Sequence, residues 1–259
     1  MSVLSHRLPP VLLAMATLMV AALGPSPARA DRYDDAVAHR GRPAADVQRD
    51  QIDHPAEVLR LSGIGPSMVV ADFLAADGYY SELLSYLVGP KGHVYLINNE
   101  AYDKWSENQW QGRVERLPNV EHKTVTVEHL GLAPHSLDAI LLVKVYHDLY
   151  WHPDEGPWPK DIDPDAVLTE IARVVKPGGI LLLVDHSAKS GTGSADAGTL
   201  HRIDEQYARR DFEKHGFELV RSSDVLRRAD DPRELITYKG DMVGKTDRFV
   251  MVFRRRGKT

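Results

Sequence analysis

The chain has no cysteine among its 259 residues, so neither structural disulfides nor a lipid-modified cysteine anchor is available to it. Its stability must come from a packed core. It also lacks an excess of positive charge: the formal balance is −5, and no global basic field marks it as a nucleic-acid binder. The basic cluster Arg254-Arg255-Arg256 ends a strand-like run and reads as a solvated tail. No apolar run reaches the roughly 20 residues that a membrane-spanning helix needs. No internal repeat or low-complexity tract is present, and a composition of 43% hydrophobic and 27% charged residues is that of an ordinary globular protein.

The first thirty residues contain no acid. His6 and Arg7 precede an apolar stretch from Val11 to Leu23, Gly24-Pro25-Ser26-Pro27 breaks it, and Ala28-Arg29-Ala30 supplies a small-x-small pattern. This order predicts a signal peptide cut after Ala30 and an exported, periplasmic protein. Its removal takes two arginines and leaves a more acidic remainder. That balance suits a monomer or weak homo-oligomer without stable membrane insertion.

Beyond it, a polar helical extension is expected over 31–62, followed by one domain over 63–259. Strands are predicted at Met68–Ala71, His93–Ile97, Val120–Val127, Leu137–Tyr146, Ile180–Val184, Glu218–Ser222 and Arg248–Phe253. Helices are expected through Val47–Val58, Gly78–Val88, Ala101–Arg116, Asp163–Val175 and Ile203–His215. Strands alternating with helices argue an α/β fold with a mostly parallel seven-stranded sheet and right-handed crossovers. The nearly continuous apolar run at 137–146 suits a central strand covered on both faces.

Several segments carry a resemblance. Val174-Val175-Lys176-Pro177-Gly178-Gly179-Ile180 through Asp185 resembles the turn ahead of the fifth strand in class I S-adenosylmethionine-dependent methyltransferases. Gly78-Tyr79-Tyr80-Ser81-Glu82, Tyr146-His147-Asp148-Leu149-Tyr150, Asp185-His186-Ser187-Ala188, Gly198 to Asp204, Ser223 to Arg227 and Gly244 to Phe249 resemble the predicted, often exported, bacterial members. The resemblance runs from about Arg49 to Arg254. It implies a Rossmann-like methyltransferase sandwich, S-adenosylmethionine as cofactor, and methyl transfer to a small-molecule acceptor.

The same resemblance places the cofactor at the carboxyl ends of the first strands. The D-x-G-x-G-x-G pattern of such loops falls on Asp72-Phe73-Leu74-Ala75-Ala76-Asp77-Gly78, where Leu74 and Ala76 stand at two glycine positions. Leucine there has neither glycine's room nor its left-handed freedom. Asp72 is the expected partner of the cofactor's amino group or, alternatively, a turn cap. Tyr79 borders the same loop. At the end of the second strand, where a carboxylate usually takes both ribose hydroxyls, stand Asn98, then Asn99 and Glu100. Glu128 occupies the adenine-side position.

Of twelve histidines, three fall at strand or loop ends suited to catalysis: His147 beside Asp148, His186 beside Asp185, and His201. His147 or His186 is the expected general base, with a pKa near working pH. These histidines with Asp148 also form an alternative set of divalent-metal ligands, although their spacing is not a compact metal motif and none is assigned on sequence. Two further readings compete. One is an exported, non-catalytic binding protein whose degenerate fold has lost the cofactor. The other is metal-assisted hydrolysis at the histidine–carboxylate cluster.

Overall fold

Strand pairing in the computed structural model, which describes residues 31–257, follows the order β3-β2-β1-β4-β5-β7-β6. The predicted signal segment 1–30 lies outside the described residues. Three helices come first: α1 (Arg32–Val37), α2 (Ala44–Asp53) and α3 (Pro55–Ser62). A single helix was expected over 47–58. His54 breaks it with a left-handed backbone (φ 43°), and Pro55 starts α3 at the position where a missing N–H is harmless.

The sheet begins with β1 (Val69–Phe73), α4 (Tyr79–Val88), β2 (His93–Asn98), α5 (Glu100–Trp105), α6 (Gln111–Arg116) and β3 (Val120–Thr124). The helix expected over 101–116 is two helices, because Glu107 and Asn108 both take positive φ between them. Next come β4 (Leu137–Val143), a 3-10 turn (His147–Tyr150), α7 (Pro164–Val174) and β5 (Val175–His186). The chain finishes with α8 (Ala197–Leu200), α9 (Glu205–Lys214), β6 (Phe217–Ser223) and β7 (Arg248–Arg255). β4 ends three residues earlier than expected because Lys144 turns the chain with φ 61°.

β1 to β5 are mutually parallel, whereas β7 runs antiparallel between β5 and β6. Both faces are covered. Ala71, Phe73, Ile140, Leu142, Leu181 and Leu183 pack into one core, and Val70, Ala139, Leu141, Leu182 and Val184 into the other. Successive side chains of a strand point to opposite faces, so a strand buried on both sides reads as an unbroken apolar run. The chain order reverses between β1 and β4, which opens a crevice at their carboxyl ends.

The loop leaving β1 forms that crevice. Leu74, Ala76 and Gly78 all adopt left-handed backbone, with φ of 53°, 55° and 85°. The glycine-loop shape is therefore retained with two side chains in glycine's places. At Gly78 room is short as well, since a Cβ there would stand 2.6 Å from Leu96 Cδ1 and 3.1 Å from Arg113 Cδ. Asn98 holds the rest. Its Oδ1 accepts from Ala76 N at 2.9 Å, and its Nδ2 donates to Ala76 O at 3.0 Å and to Asp103 Oδ1 at 2.8 Å. From the other side Arg113 Nε donates to Asp77 O at 2.6 Å, and its guanidinium also bonds Asp46 of α2 and Glu82 of α4.

Two opposite stability effects follow. Ala76→Gly relieves a left-handed alanine and should stabilise the fold by about 0.5–1 kcal/mol in urea unfolding. Asn98→Asp removes the donor to Ala76 and sets a carboxylate against Asp103, with an expected loss of about 3 kcal/mol or more in the same measurement. An unchanged midpoint for Asn98→Asp would show that the amide does not shape this loop.

Candidate functional site

The crevice between β1 and β4 deepens into a cavity of about 200 Å3, lined by the 72–80 loop, Arg49, Tyr102, Trp105 and Val143 to Val145. Four of the sequence-predicted cofactor residues, Asp72, Leu74, Ala76 and Tyr79, are among its walls. Gly78 caps α4 behind them. Three others are elsewhere. Asn98 is fully buried and committed to the loop backbone, so its side chain faces Ala76 rather than the cavity. Glu100 has a side chain 83% exposed, near Lys104 at 3.9 Å, and is not among the residues that line the cavity. Glu128 lies half-exposed in the turn between Thr126 and His129, away from the cavity walls.

Asp72 closes the end of β1. Its carboxylate accepts from Ser81 Oγ at 2.7 Å, and burial pushes its pKa up to about 6, with the Ser81 bond opposing that rise. Beside it Tyr80 presents a buried hydroxyl with no partner among the described residues. A buried donor left unpaired in a protein wall is a usual mark of a ligand or water position.

Two cations, Arg49 and Lys144, also line the cavity. Asp53 is shared by Arg49 at 2.7 Å, Lys144 at 3.1 Å and Arg248, three positive groups on one buried carboxylate. Burial alone would raise Asp53, but Lys144, Arg49 and Arg248 hold it far below the usual carboxylate range. Lys144 feels the converse. Burial and the charge of Arg49 bring its pKa down to about 8, against the pull of Asp53. Arg49 also lies over the Tyr79 ring, 3.9 Å from its centroid. Neither Arg49 nor Asp53 was read from sequence as functional. Lys144 carried a signal, being the single charge inside the apolar run from Ala139 to Tyr146.

A second polar cluster borders the first. His147 Nδ1 bonds Asp185 Oδ1 at 2.7 Å, and the other Asp185 oxygen accepts from His147 N at 2.9 Å. His147 Nε2 stands 3.3 Å from both His201 Nδ1 and Asp148 Oδ1. Tyr102, which lines the cavity, donates its hydroxyl to Asp148 Oδ2 at 2.5 Å and so joins the two clusters. The predicted catalytic set His147, Asp148 and His201 is brought together. His186 is a neighbour, its ring centroid 5.9 Å from that of His147, but its Nδ1 is held by Thr246 Oγ1 at 2.8 Å.

The electrostatics correct the expected base with a pKa near working pH. Burial would lower His147, yet Asp185 and Asp148 overcome it and raise the pKa to about 10, which keeps the imidazole protonated. Burial takes His186 well below the ordinary histidine value, and the charges of His147 and Lys144 act in the same direction. Asp148 is held low against burial by His147 and by hydrogen bonds from His147, His201 and Tyr102.

This architecture has known counterparts. Residues 72–183 match the methyltransferase domain family. Over 130 residues the chain is 28% identical to the ubiquinone/menaquinone biosynthesis C-methyltransferase UbiE of Shewanella oneidensis, an alignment covering 50% of this chain and 47% of that protein. The chain thus spans about half the length of the curated relatives it matches. An S-adenosylmethionine-dependent methyltransferase from Aquifex aeolicus superposes with a TM-score of 0.59 at 22% identity, covering 83% of this chain and 98% of that one. An arsenic(III) S-adenosylmethionine methyltransferase from Chlamydomonas reinhardtii gives 0.51 at 19% identity, covering 83% and 75%. Sheet order, loop geometry and sequence match agree on the fold: the chain has the Rossmann-like architecture of class I S-adenosylmethionine-dependent methyltransferases, and its residues 72–183 match the methyltransferase domain family.

Proposed function

We propose that this chain binds S-adenosylmethionine in the β1–β4 cavity and transfers its methyl group to a small-molecule acceptor. The observation that carries the reading is the left-handed backbone at Leu74, Ala76 and Gly78, which opens the loop toward the cavity despite the missing glycines.

The side chains fit the cofactor's amino-acid end. Asp72 would accept from the amino group, and the excess positive charge of Arg49 and Lys144 over Asp53 would face the carboxylate. The unpaired Tyr80 hydroxyl supplies a further donor there. At the adenosine end Asn98 offers an amide committed to the loop, and the exposed Glu100 is the carboxylate that follows it. Asn99 Nδ2, buried and unpartnered among the described residues, is a free donor at that strand end, and Tyr102 and Trp105 give aromatic walls. When bound, the cofactor supplies an electrophilic methyl on a sulfonium. The chain's own contribution is to orient it and to exclude water with the buried cavity floor. The acceptor would sit beside Tyr102, facing the His147–Asp148–His201 cluster. With the predicted leader removed after Ala30, this chemistry would take place in the periplasm.

Calorimetry of the purified chain with S-adenosylmethionine and S-adenosylhomocysteine tests the reading directly. Saturable binding of both is expected, weakened at least tenfold in Arg49→Ala. Absence of heat at millimolar ligand would overturn it.

Asp72 adds a pH-dependent check. Its folded pKa is raised, so the stability it contributes is present below the unfolded value of about 4 and is lost as pH rises through about 6. Asp72→Asn should therefore be more stable than the native chain by roughly 1–3 kcal/mol at pH 8, with the gap narrowing toward pH 4.5. The same variant should bind the cofactor at least tenfold more weakly. Equal stability at pH 8 would refute the buried charge.

A further inference from the structure

We propose that His147, Asp148 and His201 form a binding site for one first-row divalent metal ion, with Asp185 and Tyr102 as its supporting shell. The proposal stands apart from methyl transfer, since it concerns a different ligand and different atoms.

Three ligand atoms converge on one point. His147 Nε2, His201 Nδ1 and Asp148 Oδ1 are mutually separated by 3.3, 3.3 and 3.3 Å. Metal–nitrogen and metal–oxygen bonds of about 2.0–2.1 Å at tetrahedral angles put neighbouring ligand atoms roughly 3.3–3.4 Å apart. The triangle has the size of one face of such a coordination shell. Without an ion, His147 Nε2 and His201 Nδ1 both point at Asp148 Oδ1, and an ion at the centre of the triangle would displace the Nε2 proton.

The surroundings have the second feature of a metal site. A histidine ligand almost always gives its other ring nitrogen to a carboxylate or carbonyl, which fixes tautomer and ring orientation. His147 does this with Asp185, and the same carboxylate also accepts from the His147 backbone. Asp148 is likewise oriented, with Tyr102 occupying Oδ2 and leaving Oδ1 for the triangle. His201 is held in a left-handed backbone (φ 52°), between the rings of Trp151 and Tyr238 at 5.0 and 4.7 Å.

Ligand chemistry narrows the ion. Two imidazoles and one carboxylate suit zinc, cobalt, iron or manganese rather than magnesium or calcium, which prefer all-oxygen sites. Three protein ligands leave a fourth position open, as in catalytic rather than structural zinc sites. That position would take water or an oxygen of a small molecule. His186, included in the sequence-based ligand set, stays outside, its Nδ1 already bonded to Thr246. The other acid–histidine group among the described residues, Asp165, Asp211 and His215, is different. There Asp165 is exposed and paired with Lys214, so that group offers no comparable shell.

The test uses full-length protein purified without a histidine tag, stripped with chelator and titrated with Co2+ alone. One equivalent should bind, with d–d absorption in the visible range and at micromolar or lower dissociation constant. His201→Ala and Asp148→Asn should each weaken Co2+ binding by 100-fold or more. Asp185→Asn, which disturbs only the support, should weaken it by 10- to 100-fold. His215→Ala, in the other cluster, should bind as the native chain does. Circular dichroism of each variant separates lost ligands from lost fold, and the native stoichiometry decides the matter if a variant does not fold. Fewer than 0.1 equivalents bound by native protein, or an unchanged affinity in His201→Ala, would overturn the proposal.

Discussion

The amide of Asn98 fixes the shape on which the candidate site depends. A left-handed backbone costs a non-glycine residue roughly 1–2 kcal/mol, and the loop after β1 asks this of Leu74 and Ala76 within three residues. Such angles persist only where the surroundings determine them from several sides. Asn98 grips both the N–H and the C=O of Ala76, Ile97 O accepts from Ala75 N, and Arg113 holds the carbonyl of Asp77. Leu74 contributes by burying its side chain in the core. Donor and acceptor are both needed at position 98, which an ionised aspartate cannot supply. The non-glycine residues of the loop and the amide at position 98 are thus coupled through one set of hydrogen bonds.

Around this loop, charge is sorted into two poles. One is cationic, with three basic side chains on Asp53; the other sets the His147 imidazole between Asp185 and Asp148. Each pole shifts the titration of its neighbours. The cations help to depress Lys144 and His186, while the paired carboxylates raise His147. Tyr102 lies at the boundary, one face toward the cavity and its hydroxyl on Asp148. The cavity therefore has positive charge in its wall at Arg49 and Lys144, and Tyr102 links that wall to the hydrogen-bonded acid–histidine cluster.

Much of the fold was legible because its signals are local or periodic. All seven strands were placed, since β1, β4 and β5 alternate between two apolar cores and so read as unbroken apolar runs. Element breaks at His54, at Glu107-Asn108 and at Lys144 were not legible, because non-glycine residues adopt positive φ there for tertiary reasons. The convergence of His147, Asp148 and His201 was visible only as strand-end placement, since 54 positions separate the two histidines along the chain. Asn98 was read as a ligand residue because its position in β2 was clear, whereas its side-chain partner was not. The roles of Arg49 and Asp53 had no sequence signal. They depend on α2 reaching the carboxyl edge of the sheet, which only the folded chain reveals.

Buried charge gives a physical reason to regard this edge as functional. Removing ions from water costs several kcal/mol each, and apolar residues of similar size would stabilise a fold equally well or better. Here Asp53, Asp72, His147, Asp148 and Asp185 are all at most 6% exposed, and all lie at the carboxyl ends of strands or in segments packed on them. The strained residues Leu74, Ala76, Lys144 and His201 stand among them. The strand interiors beneath pack into two apolar clusters that use none of these groups. Buried ion pairs also occur elsewhere among the described residues, as in the Asp46–Arg113–Glu82 and Arg202–Asp231 groups; at this edge buried charge and left-handed backbone coincide with a cavity, and that coincidence marks it as a candidate binding surface. Lys144 shows both effects in one residue, because the left-handed turn that ends β4 places it in the cavity wall with its ammonium on the buried Asp53.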